Sequence, residues 1–168
     1  HIVHGMCEYI ARYDHIFAFL AEKGYVCCGY DNLGHGETAK NKDELGFIAH
    51  RNGWKYLVND VKAFEDAVRK MFPDKPLYLM GHSMGSFISR IAAENYDDGI
   101  EKFIICGTGG PNAAAPFGLL LTDIMQLFCG EKHRSKLINN IAFGAYNKRF
   151  EGESEYDWVT SDREVTAK

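Results

Sequence analysis

The order of apolar runs and helical periods predicts an α/β fold: a mostly parallel sheet with helices on both faces, followed by a helical cap segment. Three observations carry that prediction. Short apolar runs alternate with stretches of helical period over residues 1–110. Gly81-His82-Ser83-Met84-Gly85 sits between one such run and one such helix. After Pro111 the pattern becomes helical throughout. Alternation points to a parallel sheet because parallel strands need long crossovers, and a helix is the usual one.

Each element has its own signal. Ile2-Val3 marks a strand over residues 1–4. Ile10, Tyr13, Ile16, Phe17 and Leu20 recur at helical spacing, and Gly24 stops that helix. Tyr25 to Tyr30 reads as a second strand. From Gly53 to Phe72 the helical period returns through Trp54, Leu57, Val58, Val61, Phe64 and Val68, and Pro73 closes it. Residues 77–81 form the next strand, and Phe87, Ile88, Ile91 and Ala92 mark the helix after it. Phe103-Ile104-Ile105-Cys106 predicts a strand over 102–107, an outer strand with an unpaired edge, ended by Gly107 to Pro111. Beyond it, Leu119, Leu120, Leu121, Ile124, Met125, Leu127 and Phe128 belong to one apolar helical run. Leu137, Ile138 and Ile141 continue at helical spacing, and the tail past Arg149 is polar. The boundaries are therefore a core at 1–110 and a cap at 111–168, with no internal repeat.

Composition narrows the class. The 168 residues suffice for one domain that buries roughly 70% of its unfolded surface. With 46% hydrophobic and 25% charged residues, the chain reads as globular rather than disordered. A net charge of −4 and scattered basic residues give no footprint for nucleic acid. Cys7, Cys27, Cys28, Cys106 and Cys129 are an odd set without C-x-x-C spacing. They predict buried free thiols in a reducing compartment, the cytoplasm, and no zinc site.

The chemistry lies in the glycine-flanked serine. A G-x-S-x-G serine between strand and helix sits on a tight, strained turn, and neighbours two residues away must lack side chains for strand and helix to meet. Ser83 is then the candidate nucleophile, and the Met84 N–H points to a developing oxyanion. His4-Gly5-Met6 follows the first strand, where an HG pair supplies a second donor, the Met6 N–H. His4 is expected to brace that loop by hydrogen bonding, and His82 to serve as packing or pocket wall. Asp31 and His35 are expected to staple the loop after their strand through side-chain to backbone bonds. Cys7 reads as a small buried residue beside Met6.

His1-x-x-His4-Gly5-Met6-x-Glu8, Arg12-Tyr13, Asp31-x-x-Gly34-His35-Gly36 and the Gly81–Gly85 turn together resemble the α/β-hydrolase superfamily. Within it they resemble the monoacylglycerol lipase and lysophospholipase group, serine aminopeptidase S33-like; where that group often has histidine after the glutamate, this chain has Tyr9. The resemblance implies a serine hydrolase of carboxylic esters that works through a Ser83 acyl-enzyme, with no cofactor or metal. It implies a small lipid-like ester as substrate and transient membrane-surface contact through the cap. Two alternatives remain: an S33-type peptidase, and a non-catalytic binding module on the same fold. The resemblance also places the acid and the histidine base on loops after later strands. His133 lies in a polar stretch with no strand before it, and Asp123 in an apolar helix. The chain is therefore expected to lack its first strands and its acid and base strands, and to be inactive and aggregation-prone alone.

Overall fold

Strand β2 (Leu77–His82) is the centre of a three-stranded parallel sheet, flanked by β1 (Ile2–Val3) and β3 (Ile100–Cys106) in the order β1-β2-β3. Ile2 pairs with Met80 and Val3 with Gly81; on the other side the register runs from Leu77 with Ile100 to His82 with Cys106. This computed structural model describes residues 1–96, 99–150, 157–160, 162 and 164. The chain divides into two units, His1–Pro111 and Asn112–Lys168.

In the first unit, helices α1 (Asp14–Glu22), α2 (Gly53–Met71) and α3 (Met84–Tyr96) connect the strands. Leu57, Val58, Val61 and Val68 form the buried stripe of α2, at the spacing that keeps one helical face against the sheet. Leu57, Val58 and Val61 meet Val3 and Leu79 from the strands and Ile88 and Ala92 from α3 in one core. Full burial of such a side chain contributes roughly 1.5–3 kcal/mol, so this layer fixes α3 and the turn before it. Along β2 the residues alternate: Leu77, Leu79 and Gly81 are buried, while Tyr78, Met80 and His82 are half-buried on the opposite face. There the Tyr25 and Tyr13 rings approach Tyr78 and His82.

Four expectations are corrected. The strand over 25–30 contracts to one parallel bridge, Gly29 with Ile2, backed by the Ile2 N–H donating to Cys28 O at 3.0 Å. Its partner β1 has only two residues, so the ladder cannot lengthen, and Tyr25 and Val26 stay half exposed. The first predicted helix opens instead as a 3-10 turn at Ile10–Tyr13 before α1, and α1 buries no residue fully. Trp54, at the first turn of α2, faces outward. The cysteines are free but none is buried: Cys7, Cys106 and Cys129 are exposed, each at a turn or element end, and Cys27 and Cys28 are half-buried.

Strand β3 exposes Ile104 and Ile105, and among the described residues its outer edge has no strand partner. The second unit holds α4 (Ala115–Cys129) and α5 (Lys136–Phe143). Ser135 caps α5 by accepting from the Ile138 N–H at 3.1 Å. No residue of α4 is buried, and Phe117, Leu127 and Phe128 are among the most exposed apolar side chains. Among the described residues, no helix is long and apolar enough to cross a membrane.

Candidate active site

Ser83 occupies the single residue between β2 and α3 with φ +51°, the left-handed region that a serine seldom adopts. Backbone bonds hold it there. Its N–H donates to Cys106 O at 2.9 Å, and its carbonyl accepts from the Ser86 N–H at 2.9 Å and the Ser86 hydroxyl at 2.6 Å. The flanking glycines are required by contact rather than by dihedral. A Cβ on Gly81 would lie 2.5 Å from Gly85 O, and one on Gly85 would lie 2.5 Å from His4 O. The start of α3 therefore rests directly on the backbone of β1 and β2. Among the described residues of the first unit the Ser83 hydroxyl makes no hydrogen bond, to a histidine or otherwise.

The loop after β1 comes close to that serine. A Cβ on Gly5 would lie 3.1 Å from Ser83 Cβ. Cys7 takes φ +58°, which turns the chain back after Met6. His4, wholly buried, shapes the loop. The Asn32 N–H donates to His4 Nε2 at 2.9 Å, so this bonding pattern assigns the proton to Nδ1, which donates to Gly5 O at 2.7 Å. A trans peptide points its N–H opposite to its C=O. Holding Gly5 O thus sets the direction of the Met6 N–H. Among the described residues, the N–H groups of both Met6 and Met84 lack a hydrogen-bond partner. Burial, helped by the nearby His35, keeps the His4 pKa below the usual histidine value, against the opposing pull of Gly5 O, Glu8 and Asp31. The ring is a neutral brace.

Asp31 and His35 do tie the second loop. The two Asp31 oxygens accept from the N–H groups of Ile10 at 2.7 Å and Glu37 at 2.8 Å, and His35 Nδ1 lies 3.0 Å from Leu33 O. Asn32, fully buried, was not among the expected residues. Besides its N–H on His4, its amide donates to His4 O at 3.1 Å.

A second group was also missed. Glu8 Oε1 accepts from the Gly5 N–H, from the Tyr13 hydroxyl at 2.9 Å and from His82 Nδ1 at 3.0 Å. His82 is therefore more than pocket wall. Burial works to raise the Glu8 pKa, but the bonds from His82, Gly5 and Tyr13 outweigh it and hold the carboxyl below its usual range. Burial, then the bond to Glu8, pushes the Tyr13 phenol up. The sequence signal was Glu8 three residues after Gly5; its partner His82 stood too far along the chain to be paired with it.

His133 lies in the turn between α4 and α5, its N–H donating to Gly130 O at 3.3 Å, and Asp123 lies within α4. Among the described residues no group of three or more His, Cys, Asp or Glu side chains could hold a metal. A separate hollow of about 550 Å³ is lined by Tyr30, Leu33, Asp60 and Phe64 with Asp31 and Glu37, and does not include Ser83.

A family model described as serine aminopeptidase, S33, matches residues 1–168. Monoglyceride lipase of Mus musculus is 30% identical over 128 residues, 74% of this chain and 40% of that protein. The Rattus norvegicus monoglyceride lipase is 24% identical over 166 residues, 96% of this chain and 50% of the relative. The crystal structure of a thermostable carboxyl esterase from Bacillus coagulans superposes with TM-score 0.87 at 28% identity, covering 99% of this chain and 54% of that one. The chain thus spans about half the length of the relatives it matches. A parallel sheet, a left-handed serine on a glycine-packed turn and these matches together place the chain in the serine aminopeptidase S33 family of α/β-hydrolases, where it is similar to monoglyceride lipases.

Proposed function

We propose that the protein hydrolyses carboxylic esters of monoacylglycerol or lysophospholipid type, with Ser83 as nucleophile. The observation that carries this reading is the left-handed Ser83 on its glycine-packed turn, with two unpartnered N–H groups on the adjoining segments. Ser83 Oγ attacks the acyl carbonyl and gives its proton to a histidine base. The carbonyl oxygen, now an anion, is received by the N–H groups of Met6 and Met84. Collapse expels the alcohol, which takes up that proton, and water then releases the fatty acid from the acyl-enzyme. Because no histidine in residues 1–111 bonds the Ser83 hydroxyl, we assign base and acid to residues outside that unit. Residues 111–168 serve as the cap, whose exposed apolar helix α4 shelters the acyl chain and touches the membrane surface transiently.

A peptidase would need carboxylates near the serine for a substrate amine. The acidic hollow does not favour it: its lining excludes Ser83, and both Asp31 oxygens are occupied by backbone N–H groups. The test is labelling with a fluorophosphonate probe. The full-length protein should be modified at Ser83, and Ser83→Ala should lose both labelling and ester turnover. Unchanged hydrolysis by that variant would refute the assignment.

A further inference from the structure

One carboxylate oxygen joins two nearby segments to a third that is remote in sequence. Glu8 Oε1 receives the Gly5 N–H at 2.5 Å from the loop after β1, the Tyr13 hydroxyl at 2.9 Å from the 3-10 turn, and His82 Nδ1 at 3.0 Å from the last residue of β2. Tyr13 Oη and His82 Nδ1 are themselves 3.0 Å apart, which closes the cluster. The phenol has one hydrogen and donates it to Glu8, so it faces His82 Nδ1 with its lone pairs, and the proton there sits on the ring. The carboxylate is the common acceptor. Arg12 Nη1 stands 3.9 Å from the other oxygen on a largely exposed side chain, a screened contact that contributes little.

The place of this cluster matters more than its bonds. A Cβ on Gly5 would lie 3.1 Å from Ser83 Cβ, and the two peptides flanking Gly5 are each held once: its N–H by Glu8, its C=O by His4. His82 is covalently next to Ser83. We propose that Glu8 is a positioning residue that fastens the oxyanion loop to the nucleophile turn, so that the Met6 N–H stays at the distance a tetrahedral intermediate requires. This inference rests on the reading of Ser83 and Met6 given under Proposed function.

A staple and a mere packing residue differ in what they change. Losing the staple displaces a donor that matters only in the transition state, so it lowers the limiting rate and leaves ground-state binding intact. Deleting one oxyanion donor outright costs about 10²–10³ in rate, and displacing it should cost less, about 10–100-fold. In the full-length protein, Glu8→Ala should lower the limiting rate of Ser83 labelling by a fluorophosphonate by that factor, with the half-saturating concentration within about twofold of wild type. Glu8→Gln keeps an oxygen in place without its charge. Since charge-assisted bonds are roughly twice as strong as neutral ones, it should recover most of the rate. The Gly5 amide proton should be far downfield in wild type, move upfield in Glu8→Gln and further in Glu8→Ala, and the His82 ring ¹⁵N signals should shift with it.

A folded Glu8→Ala that labels at the wild-type rate would overturn the proposal. So would a slowed variant in which the Gly5 amide has not moved. If Glu8→Ala does not fold, Glu8→Gln decides: an unchanged Gly5 amide and labelling rate would overturn it. An unmodified protein that resists labelling would instead sink the nucleophile assignment, and the Gly5 and His82 signals, which need no turnover, would still decide whether the staple exists.

Discussion

Gly85→Ala separates two accounts of the helix that carries Ser83. Gly85 is the second residue of α3 with an ordinary backbone dihedral, so helix propensity alone predicts that alanine stabilises by up to about 1 kcal/mol. The contact geometry predicts the reverse. The added Cβ would sit 2.5 Å from His4 O and 2.7 Å from Val3 C, backbone atoms of β1 and the residue after it, which cannot rotate away as a side chain could. Relief requires α3 to lift off the sheet and loosen Ile88 and Ala92 from Val3 and Leu79. Overpacking of this kind costs typically ~1–3 kcal/mol, and a backbone-to-backbone clash belongs at the upper end. Set against the propensity gain, a net loss of about 2 kcal/mol remains, or roughly 4–8 °C in melting temperature for a domain of ordinary size. Gly118→Ala is the internal control. It lies in α4 with nothing within 4 Å of an added Cβ, so propensity acts alone and the sign should be positive, by about 0.5–1 kcal/mol. Thermal and urea unfolding of the full-length protein read both. A Gly85→Ala variant as stable as wild type, or more so, would refute the close-packing argument.

Three other outcomes follow from the same geometry. Ser83→Gly should remove the cost of a left-handed serine and stabilise by ~1 kcal/mol while abolishing fluorophosphonate labelling, which urea unfolding and labelling check together. The His4 pKa is lowered in the fold, so the unfolded chain binds the proton first. Stability should be complete above about pH 6.5, fall as the pH drops below it, and fall again below about pH 4.5 as the depressed Glu8 carboxyl is forced to protonate; a urea midpoint flat from pH 7 to 4 would contradict this. If α4 shelters an acyl chain, Leu120→Asp should slow long-chain ester hydrolysis far more than acetate hydrolysis, with discrimination growing by up to ~0.8 kcal/mol per CH₂; equal losses on both esters would mean that the helix only packs.

The parts of this fold that were legible in sequence are those set by local rules. The turn at 81–85 follows from glycine spacing between an apolar run and a helical period, and α2 follows from the stripe at Leu57, Val58, Val61 and Val68. The second strand was overread because apolar content does not say how long the partner is, and Ile2–Val3 offers one bridge only. Trp54 and the cysteines were misplaced for a related reason: residue type ranks the tendency to be buried, but position at a helix start or strand end decides it. Near Ser83, the loop-bracing role of His4 was readable from HG after a strand. The bonds of Asn32 to His4 and of His82 to Glu8 were not, since they join residues distant along the chain and no local period encodes such a pairing.

That distance has a consequence for when the site comes into being. Glu8 and His82 are 74 positions apart, and so the first half of the cluster emerges from the ribosome well before the second. At about 5–20 residues per second the wait is on the order of 4–15 s. During it Glu8 lacks its His82 partner and β1 has no β2 to pair with, so the loop after β1 is not yet fastened to the turn at Ser83. The fastening of the oxyanion loop to the nucleophile turn is thus acquired only once β2 has emerged, and the first appearance of the His82–Glu8 contact would serve as a clock for β1–β2 pairing.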